Sequence, residues 1–246
     1  MNIQLQILPL LSVLFLFLVA PVVIILAVSF WDYTEFSLIP DFVLTNYIEI
    51  FESGVTYSTY LNTFKFAFLG WLFTVIIGFT LAYFLAFHVR TLRWQIILFL
   101  ICTIPFWTSN IIRMIAWIPV LGRNGLMNSL LLELGVIDEP LEWLLYSDFA
   151  VILAFVHLYT LFMLVPIFNS MMRIDKCIIE AAQDMGANSL QILINVIIPL
   201  CLPGIAIGTI FVVSLIMGDF ITVQAMSGGQ SASVGVAMNN KRALLQ

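Results

Sequence analysis

The sequence predicts an all-α, polytopic helical membrane protein, and three observations carry that prediction. Of 246 residues, 62% are hydrophobic and only 9% charged, too apolar a mixture for a water-soluble domain. Several apolar runs reach the roughly 20 residues that a helix needs to cross a bilayer. The few charges are also sorted, so that the links between runs alternate between acidic and basic, as the positive-inside rule requires. The net charge of −5, with basic residues never clustered, argues against a nucleic-acid partner. Cys102, Cys177 and Cys201 fall inside or beside apolar runs without a CxxC pair, so neither a disulfide framework nor a metal site is indicated. His88 and His157 stand alone and read as a loop residue or a satisfied intramembrane histidine. No cofactor is expected.

Residues 1–31 contain no charged side chain, and the run over residues 7–30 reads as the first span. It lacks a basic leader and exceeds the usual apolar core of a cleaved signal peptide. Pro9 and Pro21 imply an early start and a kink. Residues 31–64 hold Asp32, Glu35, Asp41, Glu49 and Glu52 and no lysine or arginine, which places them outside. A second span over 66–87 leads to an inner link carrying Arg90 and Arg93. The third is expected over 95–119, with Pro105, Trp107 and Arg113 within it. Residues 120–148 set five acids, Glu133, Asp138, Glu139, Glu142 and Asp148, against Arg123 alone and read as outside. A fourth span over 149–168 returns the chain to the inside at Arg173 and Lys176. The fifth leaves through Gly204 and Gly208, whose missing side chains permit close helix contacts, towards Met217, Asp219 and Ala225. The amino terminus is then inside and the tail from Met226 outside.

Residues 174–203, between the fourth and fifth spans, are amphipathic without being able to span. Ile174, Ile178, Ala182 and Met185 recur at helical spacing while Lys176, Glu180 and Gln183 fall on the opposite face. Asp175 can cap the start, Gly186 can supply the left-handed residue that ends it, and Asn188 or Ser189 can cap a second short helix running into Pro199 and Pro203. A helix, a sharp turn and another helix are expected.

This unit carries Glu180-Ala181-Ala182, then Gly186-Ala187, then Val196, Ile198 and Pro199, and it resembles the EAA loop of binding-protein-dependent ABC importer permeases. A second constellation is similar to the spermidine/putrescine-type branch of that family. It comprises Pro105-Phe106-Trp107-Thr108-Ser109, Arg113, Ala116-Trp117, Leu121-Gly122-Arg123-Asn124-Gly125 with Asn128, Leu134-Gly135, Ile137-Asp138 and Pro140-Leu141. The resemblance implies the type I importer permease fold in one domain over 1–246, with a cytoplasmic coupling loop at about 174–199. It implies that Glu180, Ala181, Ala182 and Gly186 meet a cytoplasmic ATPase subunit. The other implied partners are a second permease in a heterodimer, a periplasmic solute-binding protein and the lipid bilayer of a bacterial inner membrane. The implied solute is a polyamine such as spermidine or putrescine; an opine, an amino-acid-like compound or an anion are alternatives within the same class. The family carries a sixth helix that is missing after Met226, so either a truncated sequence, the favoured reading, or an unusual five-helix version is expected.

Ser227-Gly228-Gly229-Gln230 looks like the signature peptide of ABC ATPases, yet neither a GxxxxGK[ST] loop nor a soluble α/β domain accompanies it. It reads as a turn, and the chain as a transporter subunit that does not itself hydrolyse ATP. Arg113 and Asp219 are the charges most clearly embedded in apolar runs, which suggests function by default. At 1.5 Å per residue Arg113 falls roughly 27 Å along a straight helix from Gln95, and Asp219 a similar way along its own, so both approach the outer boundary. Each reads either as a snorkelling or ion-paired residue, the two pairing with each other included, or as a functional group, Arg113 as a contact along the translocation path and Asp219 as a carboxylate that receives a cationic solute. Trp107, beside Pro105, offers a face for alkyl-ammonium groups or plain packing. Trp31, Trp94, Trp117 and Trp143 fit interfacial belts. The competing mechanism is an ion-coupled secondary transporter with Arg113, Asp219 and His157 as a relay, although no strong internal repeat supports it.

Overall fold

The computed structural model describes residues 9, 12–33, 38–229 and 233–237. Two compact units divide the chain, residues 1–58 with 241–246 and residues 59–240. In the first, α1 (Ser12–Val28) is apolar on every side and none of its described side chains is buried, as for a helix surrounded by lipid. Its π turn at Phe15–Val19 lies just before Pro21, where the ring removes a backbone donor. Beyond it, Asp32–Tyr33 (β1) pairs antiparallel with Leu38–Ile39 (β2). Asn46, on α2 (Thr45–Glu52), donates to the carbonyl of Trp31 at 2.8 Å, and Phe30 stacks on Phe42 at 4.7 Å.

Among the described residues three helices are long and apolar enough to cross a membrane: α3 (Gly54–His88), α8 (Asp148–Met171) and α10 (Ser189–Gly218). The described part of the first helix is 17 residues long, and the rest of the expected first span lies largely outside the described residues. The five-span expectation is corrected at the third span, which is not one helix, because α4 (Leu92–Trp107) and the segment Asn110–Glu133 meet at an angle of 93°. That segment consists of α5 (Asn110–Ile115), α6 (Ile118–Leu121) and α7 (Leu126–Glu133). The break has a local cause. Pro105 tightens the last turn of α4 to a 3₁₀ turn, and Thr108 and Ser109 then go extended at ψ 149° and 137°.

The core of the second unit is built around α8, where Val151, Phe155, Leu158, Met163, Leu164 and Ile167 are fully buried. Lipid tails are as apolar as leucine, so close packing rather than water exclusion holds such helices together. The helix α3 accordingly buries one narrow stripe of mostly small residues, including Ala67, Gly70, Thr74, Gly78 and Ala82. Likewise α10 lies along α8 through Gly204 and Gly208. The loop after α6 is closed by Asn128, which donates to the carbonyls of Gly122 and Leu141 and accepts from the Leu141 N–H at 2.9 Å.

The amphipathic unit forms with its expected caps. Asp175 accepts from the Cys177 N–H at 3.0 Å and opens α9 (Lys176–Asp184), and Gly186 ends it at φ +84°. Asn188 and Gln191 then form a reciprocal capping box at 2.8 Å in both directions. The second helix, however, is not short. It continues into the membrane as α10, 30 residues long, because a π turn at Leu193–Ile197 shifts the hydrogen-bond frame just before Pro199. The fifth span is corrected at its far end too: α10 stops at Gly218, and α11 (Phe220–Ser227) begins after Asp219. Gly228 and Gly229 follow with φ +59° and +82°, a turn as expected, with Gly228 against the Tyr146 ring. Gln230, Lys241 and Arg242 lie outside the described residues.

Candidate coupling face and membrane cavity

The four residues expected to meet an ATPase sit together because they share one short helix and its corner. Ala182 is buried at the foot of α9, while Glu180 and Ala181 are exposed and Gly186 forms the turn. The apolar stripe is rotated from its expected position. Ile179 and Ile174 are half-buried against the core, whereas Ile178 and Met185, 83% exposed, point away from it. An outward patch of Ile178, Ala181 and Met185 therefore lies beside the Glu180 carboxylate. On the other side, Glu180 and Lys176 border a cavity of about 360 Å³ closed by Tyr83, Phe87 and His88 at the end of α3. The Asp175 carboxylate beside it, through a hydrogen bond and its charge, pushes the Cys177 thiol up from its ordinary value.

The polar residues of the apolar spans are distributed differently from the expectation. Trp107 is not mid-helix but at the break, 86% exposed. Because the axis turns there, the distance measured along a straight helix from Gln95 to Arg113 does not apply. Arg113 is only 7% exposed; its guanidinium donates to Asn110 Oδ1, and its Nε has no hydrogen-bond partner. The Trp117 indole donates to His157 Nδ1 at 3.0 Å with the rings edge to face, a contact the sequence did not signal.

Asp219 caps α11 and is half-buried. Its carboxylate accepts from the Thr222 N–H at 3.0 Å and from the hydroxyls of Thr222 and Tyr159, each at 2.6 Å. Arg113 and Asp219 therefore do not pair. Among the described residues the ion pairs are Lys65 with Asp148 and Arg123 with Glu142. Arg113 and His157 line one cavity, and neither Asp219 nor Trp107 joins them there. Sequence reasoning missed Asn110, Tyr159 and Thr222. Two of them carried a local signal, Asn110 three residues before Arg113 on one helix face, and Thr222 three residues after a capping aspartate. Tyr159 lies 60 residues from its acceptor and carried none.

No family model matches the chain. Over 224 residues it is 34% identical to the spermidine/putrescine transport system permease protein PotB of Escherichia coli K12, covering 91% of this chain and 79% of that protein. It is 30% identical over 226 residues to PotB of Haemophilus influenzae, covering 91% of this chain and 77% of that one. The inner membrane ABC transporter permease protein YdcU of Escherichia coli is 29% identical over 208 residues, 80% of this chain and 65% of YdcU. A solved chain of the bacterial alginate ABC transporter, crystallised with an alginate pentasaccharide-bound periplasmic protein, superposes with a TM-score of 0.74 at 18% identity. The match covers 98% of this chain and 85% of that one and shows the fold. By these relatives the chain is an ABC transporter permease, a multi-pass protein of the inner membrane and a transport subunit rather than an enzyme. More particularly, the chain belongs to the PotB family of these permeases.

Proposed function

We propose that this chain forms part of the membrane pathway of a binding-protein-dependent importer for a polyamine such as spermidine or putrescine. The observation that carries the solute is the 34% identity to PotB over 91% of the chain. A cytoplasmic ATPase hydrolyses ATP and meets residues 174–199 of the single permease domain, with Ile178, Ala181 and Met185 as the apolar contact and Glu180 facing a basic group. The exposed small side chain of Ala181 supports close approach, and the φ of Gly186 sets the angle of the docking helix. A second permease completes the pathway as a heterodimer, and a periplasmic binding protein delivers the solute.

Two of the three pathway residues fit a cationic solute. The exposed Trp107 indole offers a π-face to alkyl-ammonium groups. Asp219 presents a fixed negative charge, held still by its three donors. Arg113 carries the same sign of charge as a polycation and does not fit that role.

The test is co-purification of the complex from its native operon, with ATPase activity measured against the binding protein and a panel of polyamines, opines, amino acids and anions. Polyamine-specific stimulation is expected, and stimulation by another class alone replaces the solute. Glu180→Lys is expected to lower co-purifying ATPase at least about tenfold, as for loss of a charge-assisted contact. Uptake that collapses with the ion gradient and survives ATP depletion rejects the importer mechanism in favour of an ion-coupled one.

A further inference from the structure

Between the broken helix and spans α3 and α8 lies a cavity of about 320 Å³. Its wall is apolar, with Ile77, Leu81, Phe106 and Leu161 among its residues, except where Arg113, His157 and Thr160 meet it. The Thr160 hydroxyl is committed to the Val156 carbonyl at 2.5 Å. His157 accepts the Trp117 N–H at Nδ1, so the neutral ring carries its proton on Nε2 and is a donor there. Arg113 is more than nine-tenths buried, one Nη is held by Asn110, and Nε is unpartnered. Among the described lining residues there is no Asp or Glu. The cavity therefore offers donors and positive charge in apolar surroundings, where a guanidinium with no ion pair among the described residues is costly. That chemistry refuses a polyamine and calls for an oxyanion.

The rim indicates how such a ligand enters. Ile77 and Leu81 are exposed on the membrane-crossing α3, and Phe106 is exposed at the end of α4 beside the break. A chain of methylene groups can pass between them from the bilayer while its acidic end reaches Arg113. We propose that this cavity binds an acidic amphiphile, a carboxylate or phosphate oxyanion on an acyl chain, with Arg113 and His157 holding the oxyanion. The ligand supplies the missing counter-charge and braces the break between α4 and α5. A free fatty acid and an anionic phospholipid share this chemistry.

The experiment uses the whole importer complex in phosphatidylcholine nanodiscs and three diazirine-acyl probes: palmitate, phosphatidylglycerol and phosphatidylcholine. After irradiation, labelled peptides are mapped by mass spectrometry. Both acidic probes, or one of them, are expected to label α4 and α8 around the cavity at least about tenfold above the phosphatidylcholine probe. Labelling by palmitate alone identifies a fatty acid as the source, and labelling by phosphatidylglycerol alone a phospholipid. Arg113→Gln is expected to remove that excess, and Arg113→Lys to keep most of it. Leu161→Trp, which fills the cavity and leaves Arg113 in place, is expected to remove it as well, and this variant carries the test if Arg113→Gln fails to assemble. Equal labelling by all three probes, or labelling unchanged by filling the cavity, overturns the proposal. So does a carboxyl-directed crosslink from Arg113→Lys to an Asp or Glu of another subunit, which assigns the guanidinium to a protein partner.

Discussion

Gly186→Val is expected to abolish solute-stimulated ATP hydrolysis and transport while leaving the protein inserted in the membrane. A β-carbon built at Gly186 meets nothing within 4 Å, so a side chain has room. The whole penalty is in the backbone. At φ +84° an L-residue is disfavoured by about 1–2 kcal/mol, and a β-branched one by more. The corner can relieve that strain by opening, and it is the corner that aims α9 relative to α10. Because α10 runs 30 residues without a stop, a change of angle at Gly186 is expected to alter how a movement of α9 reaches α10. A shift of 1.4 kcal/mol is tenfold in an equilibrium, so at least about a tenfold loss of stimulated activity is expected for valine. Asparagine, which tolerates the left-handed region, is expected to retain most activity, with alanine between the two. ATPase assays on the purified complexes check this order. Activity of the valine variant equal to wild type removes the corner from the coupling route.

Gly204→Val is expected to prevent accumulation of the folded protein. A β-carbon at Gly204 lands 2.5 Å from the Pro166 carbonyl oxygen and against the Ser170 hydroxyl of α8. A backbone carbonyl cannot swing aside, so the two helices must separate, and overpacking of this kind costs about 1–3 kcal/mol or more. Gly208 provides the internal control. Its nearest neighbour is the Met163 sulfur at 2.6 Å, on a side chain with three rotatable bonds. Gly204→Ala is therefore expected to lower the Tm in detergent by several degrees and Gly208→Ala by less, as read by thermal unfolding with size-exclusion detection. The reverse order means that the contact between α8 and α10 is not the one that limits stability.

The caps of the amphipathic unit were legible in the sequence, although the face it buries and the length of its second helix were not. Asp175, Gly186 and Asn188 take the roles their positions suggested, because capping and a left-handed φ are decided within a few residues. Membrane residence was equally legible, since it depends on composition and run length. The same runs concealed where a helix bends. Residues 95–119 read as one apolar stretch, and Pro105 hinted at a disturbance, but a 93° break leaves hydropathy unchanged. Likewise, the continuation of α10 through Pro199 depends on a π turn that no propensity marks.

The sequence by itself therefore determined that the chain crosses a membrane, where its amphipathic unit lies and how that unit is capped. Only the tertiary structure decided which face of each span is exposed and which is core, that Trp117 meets His157 and Tyr159 meets Asp219, and that Arg113 is buried with no ion pair among the described residues. The physical reason is the solvent. In water, apolar periodicity separates inside from outside, but in a bilayer both sides are apolar and only small residues such as Gly70 and Gly78 betray the packed face. Contacts between residues 40 to 60 positions apart leave no local signature, so the polar chemistry of this protein is set by which helices touch.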